Sequence, residues 1–342
     1  STLCPYTTLF RSAEDNFDVT PRLRANAGVH LSAFRVQGKS YFSLQPRLSA
    51  RYQLNDDVIF KASYSQMNQY INLLTSAPIS MPTDLWVPVT QNIKPMSSHQ
   101  YTLGGYYTGL SGWEFSAEGY YKGMNNILEY KEAVRFIGSS ESWEEKVEMG
   151  KGRSFGVEFM AQRTIGKTTG WVSYTWAKSD RKFSKGGINN GERFPFKYDR
   201  RHHVNVVVNH KFNDRIDVSG SWYFATGATT TLAHEVSAVI RPYGDYYWQT
   251  VNNSRETIGE INYVESRNNY RLPSSHRLNV GINFHKKTKN GVRTWNVSLY
   301  NAYNAMNPTF VHRTYKPVYS NTYEGEVTYK PVLKKLTLLD RK

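Results

Sequence analysis

The sequence is poor in the features on which most other folds depend. It has one cysteine in 342 residues, so no disulfide within the chain can staple it, and a nearly cysteine-free chain suits passage through an oxidising periplasm. No apolar run approaches the roughly 18 residues that a membrane-spanning helix needs. The longest purely aliphatic stretches are trios such as Val206, Val207 and Val208, and the mean hydropathy is only -0.60. A membrane span in this chain must therefore be built of strands, and only a closed barrel satisfies their backbone groups in lipid. Helical periodicity is equally scarce. Apolar residues recur at every second position, and Gly, Asn and Thr interrupt any stretch long enough for three helical turns. Acidic residues are outnumbered, 28 against 43 Lys and Arg, for a formal net charge of +15. That excess is scattered over alternating positions and loops without a compact basic block. Such scatter argues against a nucleic-acid partner and is compatible with an anionic lipid surface.

Signals of chemistry are missing as well. None of the nine His stands in an HxH or HExxH spacing, and Asp199, Arg200, Arg201, His202 and His203 open a strand and are expected to make lumen-side ion pairs, with no metal cage. Gly166-Lys167-Thr168 resembles the end of a phosphate-binding loop, but Ala161 occupies the position of the required first glycine and a strand follows where a helix would be needed. No spacing sets a nucleophile beside a base. The sequence predicts no catalytic residue, no metal site and no cofactor.

What the chain does have is aromatics, 14% of its residues including 25 Tyr, and strict alternation. Trp113, Phe115, Ala117, Gly119 and Tyr121 fall on one side of a strand, and Glu114, Ser116, Glu118, Tyr120 and Lys122 on the other. Leu44 to Leu54, Ile216 to Phe224, Leu278 to Phe284 and Trp295 to Leu299 repeat the pattern. About twelve such segments fit, longer than the ~5 or 6 residues usual in soluble sheets. Short turns at Asn55-Asp56-Asp57, Gly109 to Gly112, Gly166 to Gly170, Asn213-Asp214-Arg215 and Lys286 to Gly291 alternate with long loops near residues 72–98, 132–146, 181–197, 226–273 and 305–330. Every second connection being short sorts turns to one end of a sheet and loops to the other, as in a transmembrane antiparallel β-barrel of the outer membrane. A soluble β-sandwich also alternates, but has no reason to sort its loops by length. Trp113, Tyr121, Trp171, Trp176, Trp222, Phe224 and Trp295 suit the two interfacial girdles of such a barrel.

The two ends read differently. Residues 2–12, TLCPYTTLFRS, match the translation of a common sequencing adapter except at Cys4, and Asp340, Arg341 and Lys342 match the start of the complementary adapter. Residues 1–12 and 340–342 are therefore expected to be adapter artefacts, with residues 13–339 an internal insert. The insert starts without an initiator Met or signal peptide and stops a few residues into a strand beginning near Pro331. It is expected to be a fragment.

The runs SLQPRLSARYQLNDDVIFKASYSQMNQYINLL (43–74), MPTDLWVPVT (81–90), TTGWVSYTWAKSDRKF (168–183), KYDRRHHVNVVVNHKFNDRIDVSGSW (197–222), RNNYRLPSSHRLNVGINF (267–284) and WNVSLYNAYNAMNP (295–308) resemble the barrel of TonB-dependent receptors, particularly the type common in Bacteroidetes. The resemblance covers residues 13–339 in order. It implies an all-β barrel of 22 strands, of which this chain holds about 12, without the plug domain that closes the lumen. It also implies that extracellular loops capture a scarce large nutrient, an iron chelate, haem, cobalamin or a glycan, which is imported with energy from TonB and undergoes no chemistry. The implied partners are outer-membrane lipid, the TonB complex through the missing plug, the ligand itself and a surface lipoprotein. Tyr243, Tyr246, Tyr247 and Trp248 cluster in the longest loop, and Trp86 lies in a family-like run. Stacked aromatic faces there are candidate ligand contacts, and packing that orders a long loop is the plainer reading of the same residues. A passive porin or an adhesin barrel would share the strand physics and is separated by the absence of a plug or of a ligand.

Overall fold

Alternation at this length dictates strands, and the computed structural model shows them; it describes residues 6–75, 84–132, 142–233, 235–238, 260–319 and 327–337. Twelve strands form one antiparallel sheet in chain order: β1 Tyr6–Thr20, β2 Leu23–Val36, β3 Lys39–Gln53, β4 Val58–Gln69, β5 Met96–Tyr107, β6 Trp113–Tyr130, β7 Val147–Arg163, β8 Thr168–Lys182, β9 His202–Asn213, β10 Ile216–Ala225, β11 Ser275–Thr288 and β12 Gly291–Leu299. They are 9 to 18 residues long, enough for tilted membrane crossings. The first strand includes residues 6–12, paired with Val36 to His30 of β2.

Short turns close one end by a repeated device. The Asn55 Oδ1 accepts from the Asp57 and Val58 amides at 3.0 and 2.8 Å, and the Asn213 Oδ1 accepts from Arg215 and Ile216 at 2.8 and 3.1 Å. The Thr20 hydroxyl does the same for Arg22 and Leu23. In each case a side chain satisfies amides that the ladder leaves open. The opposite end carries the long connections, with one exception. There β2 and β3 are joined by Gln37 and Gly38 alone, both at positive φ (48° and 80°), the geometry of a tight hairpin whose twist matches the strands.

The sheet has two unlike faces. Cross-strand pairing aligns Tyr64, Tyr101, Tyr121 and Phe155 in one row over β4 to β7, and Ala62, Leu103, Gly119, Val157 and Trp176 in the next. Apolar residues on this face are open, Leu103 at 65% and Phe159 at 49% exposure, which in water would be a very large apolar patch. The other face carries Arg51, Lys61, Glu118, Glu158 and Thr175 in a row. A sheet apolar outside and polar inside is the pattern of a membrane barrel wall. Trp113 stacks on Phe115 at 5.7 Å and Phe155 meets Trp176 edge-on at 5.9 Å, near opposite ends of the apolar face. Trp171 does not join them. It pairs with Gln162 and Val207, on the polar face, because the preceding turn sets the phase of β8 so that Val172 points outward.

Two local irregularities shape the long-loop end. Pro46 has no amide hydrogen, and β3 stops pairing with β4 at Arg47. The Gln45 side chain takes over there. Its Oε1 accepts from the Asn68 amide at 3.0 Å and its Nε2 donates to the Ser32 hydroxyl, which meets the Tyr70 hydroxyl. In β6, Asn126 (φ 56°) is an extra residue between Asn125, paired with Lys151, and Ile127, paired with Gly150. This bulge shifts the inward–outward phase of the last turn of strand by one.

Buried hydrophobic residues gather at the loop end. Leu74, Val87, Ile93, Leu128, Tyr130 and Val147 form one cluster, Phe34, Val36, Tyr70 and Val89 a second, and Ile127, Phe183, Ile188 and Phe194 a third. The described parts of the long loops are thus packed. Ile71–Leu74 pairs with Leu85–Pro88, Thr229–Thr230 with Tyr270–Arg271, and Glu235–Ala238 with Glu260–Tyr263. The segment read as a loop at 305–330 contains a strand, Pro308–Tyr319, which pairs with Val327–Thr337 in a hairpin separate from the main sheet.

Candidate functional site

Three carboxylates lie buried where the long loops meet the strand ends, and each holds two guanidinium groups. Glu129, at the top of β6, accepts from Arg181 of β8 and, at 3.3 Å, from Arg267. Asp180 of β8 accepts from Arg153 of β7 at 3.0 Å and from Arg193 at 2.7 Å. Asp199 accepts from Arg201 at 3.1 Å and from Arg271 at 2.5 Å, and its second oxygen takes the Ser179 amide at 2.7 Å. Carboxylates this buried stay charged only with such partners. The Asp199 pairs are the ion pairs expected of the DRRH run.

Arg and aromatic faces interleave here. Arg181 stacks 3.7 Å over the Phe196 ring, and Arg267 lies 5.8 Å from the centre of Phe194 while donating to the Tyr130 carbonyl at 2.8 Å. Lys197 is buried and donates to the Thr75 carbonyl at 2.5 Å and to the Thr75 hydroxyl. Burial pushes its ammonium down to about 8, against the upward pull of Glu129 and with further lowering by Arg181 and Arg267. The network ties the loops after β4, β8 and β10 to the ends of β6, β7 and β8. Guanidinium groups outnumber carboxylates two to one, so the region carries a net positive field.

Below the rim, a hollow of about 510 Å³ on the polar face is bordered by Asp18, Arg24, Arg51, Lys61 and Glu118 among others. Among the described residues no group of three His, Cys, Asp or Glu is placed to hold a metal.

Of the aromatics singled out in the sequence, Trp86 lies in the Leu85–Pro88 strand, opposite Leu73 and 66% exposed. Tyr243, Tyr246, Tyr247 and Trp248 fall outside the described residues. The arginine–carboxylate network was missed in the sequence apart from Asp199, since its partners lie far apart along the chain, 52 residues for Glu129 and Arg181 and 138 for Glu129 and Arg267.

A two-faced sheet with turns at one end and packed, charged loops at the other defines a barrel wall of the outer-membrane receptor type. A family model described as TonB dependent receptor-like, beta-barrel matches residues 7–305, and the chain belongs to that family, one of transporters and not of enzymes. No curated protein matches the chain in sequence. Among solved structures, the ferric-catecholate import receptor Fiu of E. coli K12 superposes with a TM-score of 0.59 at 13% identity, covering 89% of this chain and 41% of its own. The ferripyoverdine receptor of the Pseudomonas aeruginosa outer membrane gives 0.60 at 14%, covering 89% and 36%. The ferric yersiniabactin uptake receptor FyuA of Yersinia pestis gives 0.56 at 15%, covering 90% and 42%. The chain thus spans about two fifths of the length of these receptors, and at such identity the likeness is one of fold.

Proposed function

We propose that this chain forms one side of an outer-membrane receptor barrel whose extracellular loops capture a scarce nutrient too large for a diffusion pore. An iron chelate, haem, cobalamin or a glycan is the class of ligand, and the remaining barrel, a plug and TonB complete the import. The observation that carries this reading is the buried arginine–carboxylate network. A passive pore has no need to fix its long loops rigidly, whereas a binding surface requires preorganised loops. Tight capture in turn needs an energy source for release.

The complete receptor in outer-membrane vesicles tests it by titration with ferric chelates, haem, cobalamin and oligosaccharides. One class is expected to bind saturably, with a Kd at or below about 1 μM, equivalent to about 8 kcal/mol, and its uptake by cells is expected to stop when the proton gradient is collapsed. Uptake that rises linearly with solute and ignores the gradient would establish a passive pore instead.

A further inference from the structure

The inward face of β9 to β12 is nearly without acids. Asp217, low on β10, is its single carboxylate among the described residues, and the cross-strand neighbours above it are mostly Asn and Ser. Asn205 donates to Ser173 of β8 at 3.4 Å, Asn279 to Ser221 at 3.2 Å and Asn296 to Asn283 at 2.7 Å. Two arginines stand at the upper end of this neutral ladder. Arg200, just before β9, donates to the Tyr223 hydroxyl at 2.6 Å. Arg277, opposite Tyr223 on β11, donates to the Tyr300 hydroxyl and lies 4.4 Å from the centre of that ring. His203 sets its ring edge-on to Tyr223 at 5.1 Å. The arginines of the rim each hold a carboxylate, whereas neither Arg200 nor Arg277 has one among the described residues. The buried Nε of Arg277 meets no acceptor at all.

A tyrosine hydroxyl is a neutral acceptor and can occupy only part of a guanidinium's donor fork. Two cations on adjoining elements, with phenols for their only side-chain acceptors, favour an anion, and the planar fork of arginine matches a carboxylate. Tyr300 is 73% exposed, so a ligand ring has an aromatic face to lie on. The amides and hydroxyls of the ladder below suit a ligand rich in hydroxyls. A porphyrin would require apolar walls there, and a compact ferric chelate offers few hydroxyls to such a surface. We propose that Arg200 and Arg277 bind carboxylates of an acidic oligosaccharide, with a sugar ring against Tyr300 and sugar hydroxyls on the Asn and Ser side chains beneath. The proposal rests on the receptor reading above and narrows its ligand to a glycan that carries carboxylates. The two arginines select the charge; the ladder selects the saccharide.

The test is calorimetric titration of the complete receptor in outer-membrane vesicles with oligogalacturonate, oligohyaluronan and oligosialate, each beside its carboxyl-reduced form. At least one acidic form is expected to bind saturably, and its reduced form at least tenfold more weakly. Arg200→Gln with Arg277→Gln is expected to lower affinity for the acidic form to that of the reduced one. Arg215→Gln, which removes a charge at the opposite end of the sheet, is expected to leave binding unchanged, and heat-modifiable gel mobility checks that each variant folds. Arg277→Lys keeps the charge and loses the fork, and is expected to fall between wild type and the double variant. Equal affinity for acidic and reduced forms, or no effect of the double variant, would overturn the proposal. So would failure of all three acidic glycans while haem or ferric citrate binds saturably, an outcome that leaves the receptor reading standing. Uptake of every solute that is linear and indifferent to the proton gradient would instead sink the receptor reading itself.

Discussion

At the scale of single residues, the rim stands on charges removed from water. Glu129 is 4% exposed, and Glu129→Ala leaves Arg181 and Arg267 facing each other without their carboxylate. Loss of one partner from a buried pair costs about 3–5 kcal/mol. The expected outcome is selective opening of the loops around Arg267 and residues 183–201, read as faster proteolysis there with the strands still protected. Lys197 predicts a stability that rises with pH in the alkaline range. Its folded value of about 8 lies below the ordinary lysine value of 10.5, so the cost of burying its charge is fully present below pH 8 and is relieved as pH rises from 8 towards 10.5. Hydrogen exchange of the 194–201 segment should therefore slow, relative to the intrinsic rate, between pH 7.5 and 9.5, and Lys197→Met should abolish that change. Little of this was legible in the sequence. Asp199 could be read because Arg201 is two residues away, whereas Glu129 and Lys197 acquire their partners only through folding.

At the scale of elements, the legible part was large because a strand's two faces are a matter of counting. Glu114 to Lys122 and Trp113 to Tyr121 separate as alternation dictates, and the Asn-Asp turns close where Asn55 and Asn213 can accept two amides. Trp171 was misplaced because an aromatic near a strand end suits a girdle by type, while its face is decided by the register with Gln162. Neighbouring residues of β5 give a direct test. Leu103→Arg puts a charge on the apolar face and is expected to cost about 2–4 kcal/mol of folding stability in lipid; Thr102→Arg, on the polar face, should cost far less. Urea titration of the complete receptor folded into vesicles, followed by heat-modifiable gel mobility, measures both. Equal losses would contradict the assignment of the faces.

At the scale of the whole molecule, the main sheet runs from β1 to β12 without pairing between those two strands. Each therefore presents an edge of unsatisfied amides and carbonyls, next to an apolar face that water does not tolerate. The chain produced alone is expected to aggregate in aqueous buffer and to be recovered only in detergent, as sedimentation velocity would show. A soluble monomer with one sharp melting transition would overturn both the membrane face and the barrel-wall reading. The strand order was implied by the sorting of short and long connections. The hairpin of Pro308–Tyr319 and Val327–Thr337 was not, because a polar stretch of that length reads equally well as a loop.

The bulge at Asn126 has a consequence for how such a chain can vary. It brings Glu129 round to the side of Arg181; were Asn126 paired in the ladder and not bulged, Leu128 and Glu129 would exchange sides, and a carboxylate would lose both of its arginines at once. Replacements at most outward positions need only be apolar, and the long connections can absorb added length. Sliding the end of β6 by one residue against β7 is a different event, since it turns over every side chain from Ile127 to Tyr130 in a single step, whereas loss of Asn126 itself would close the bulge and keep Leu128 opposite Met149 and Glu129 opposite Glu148. In this part of the barrel, relatives are free to differ in spelling, and in count only where the bulge takes up the difference.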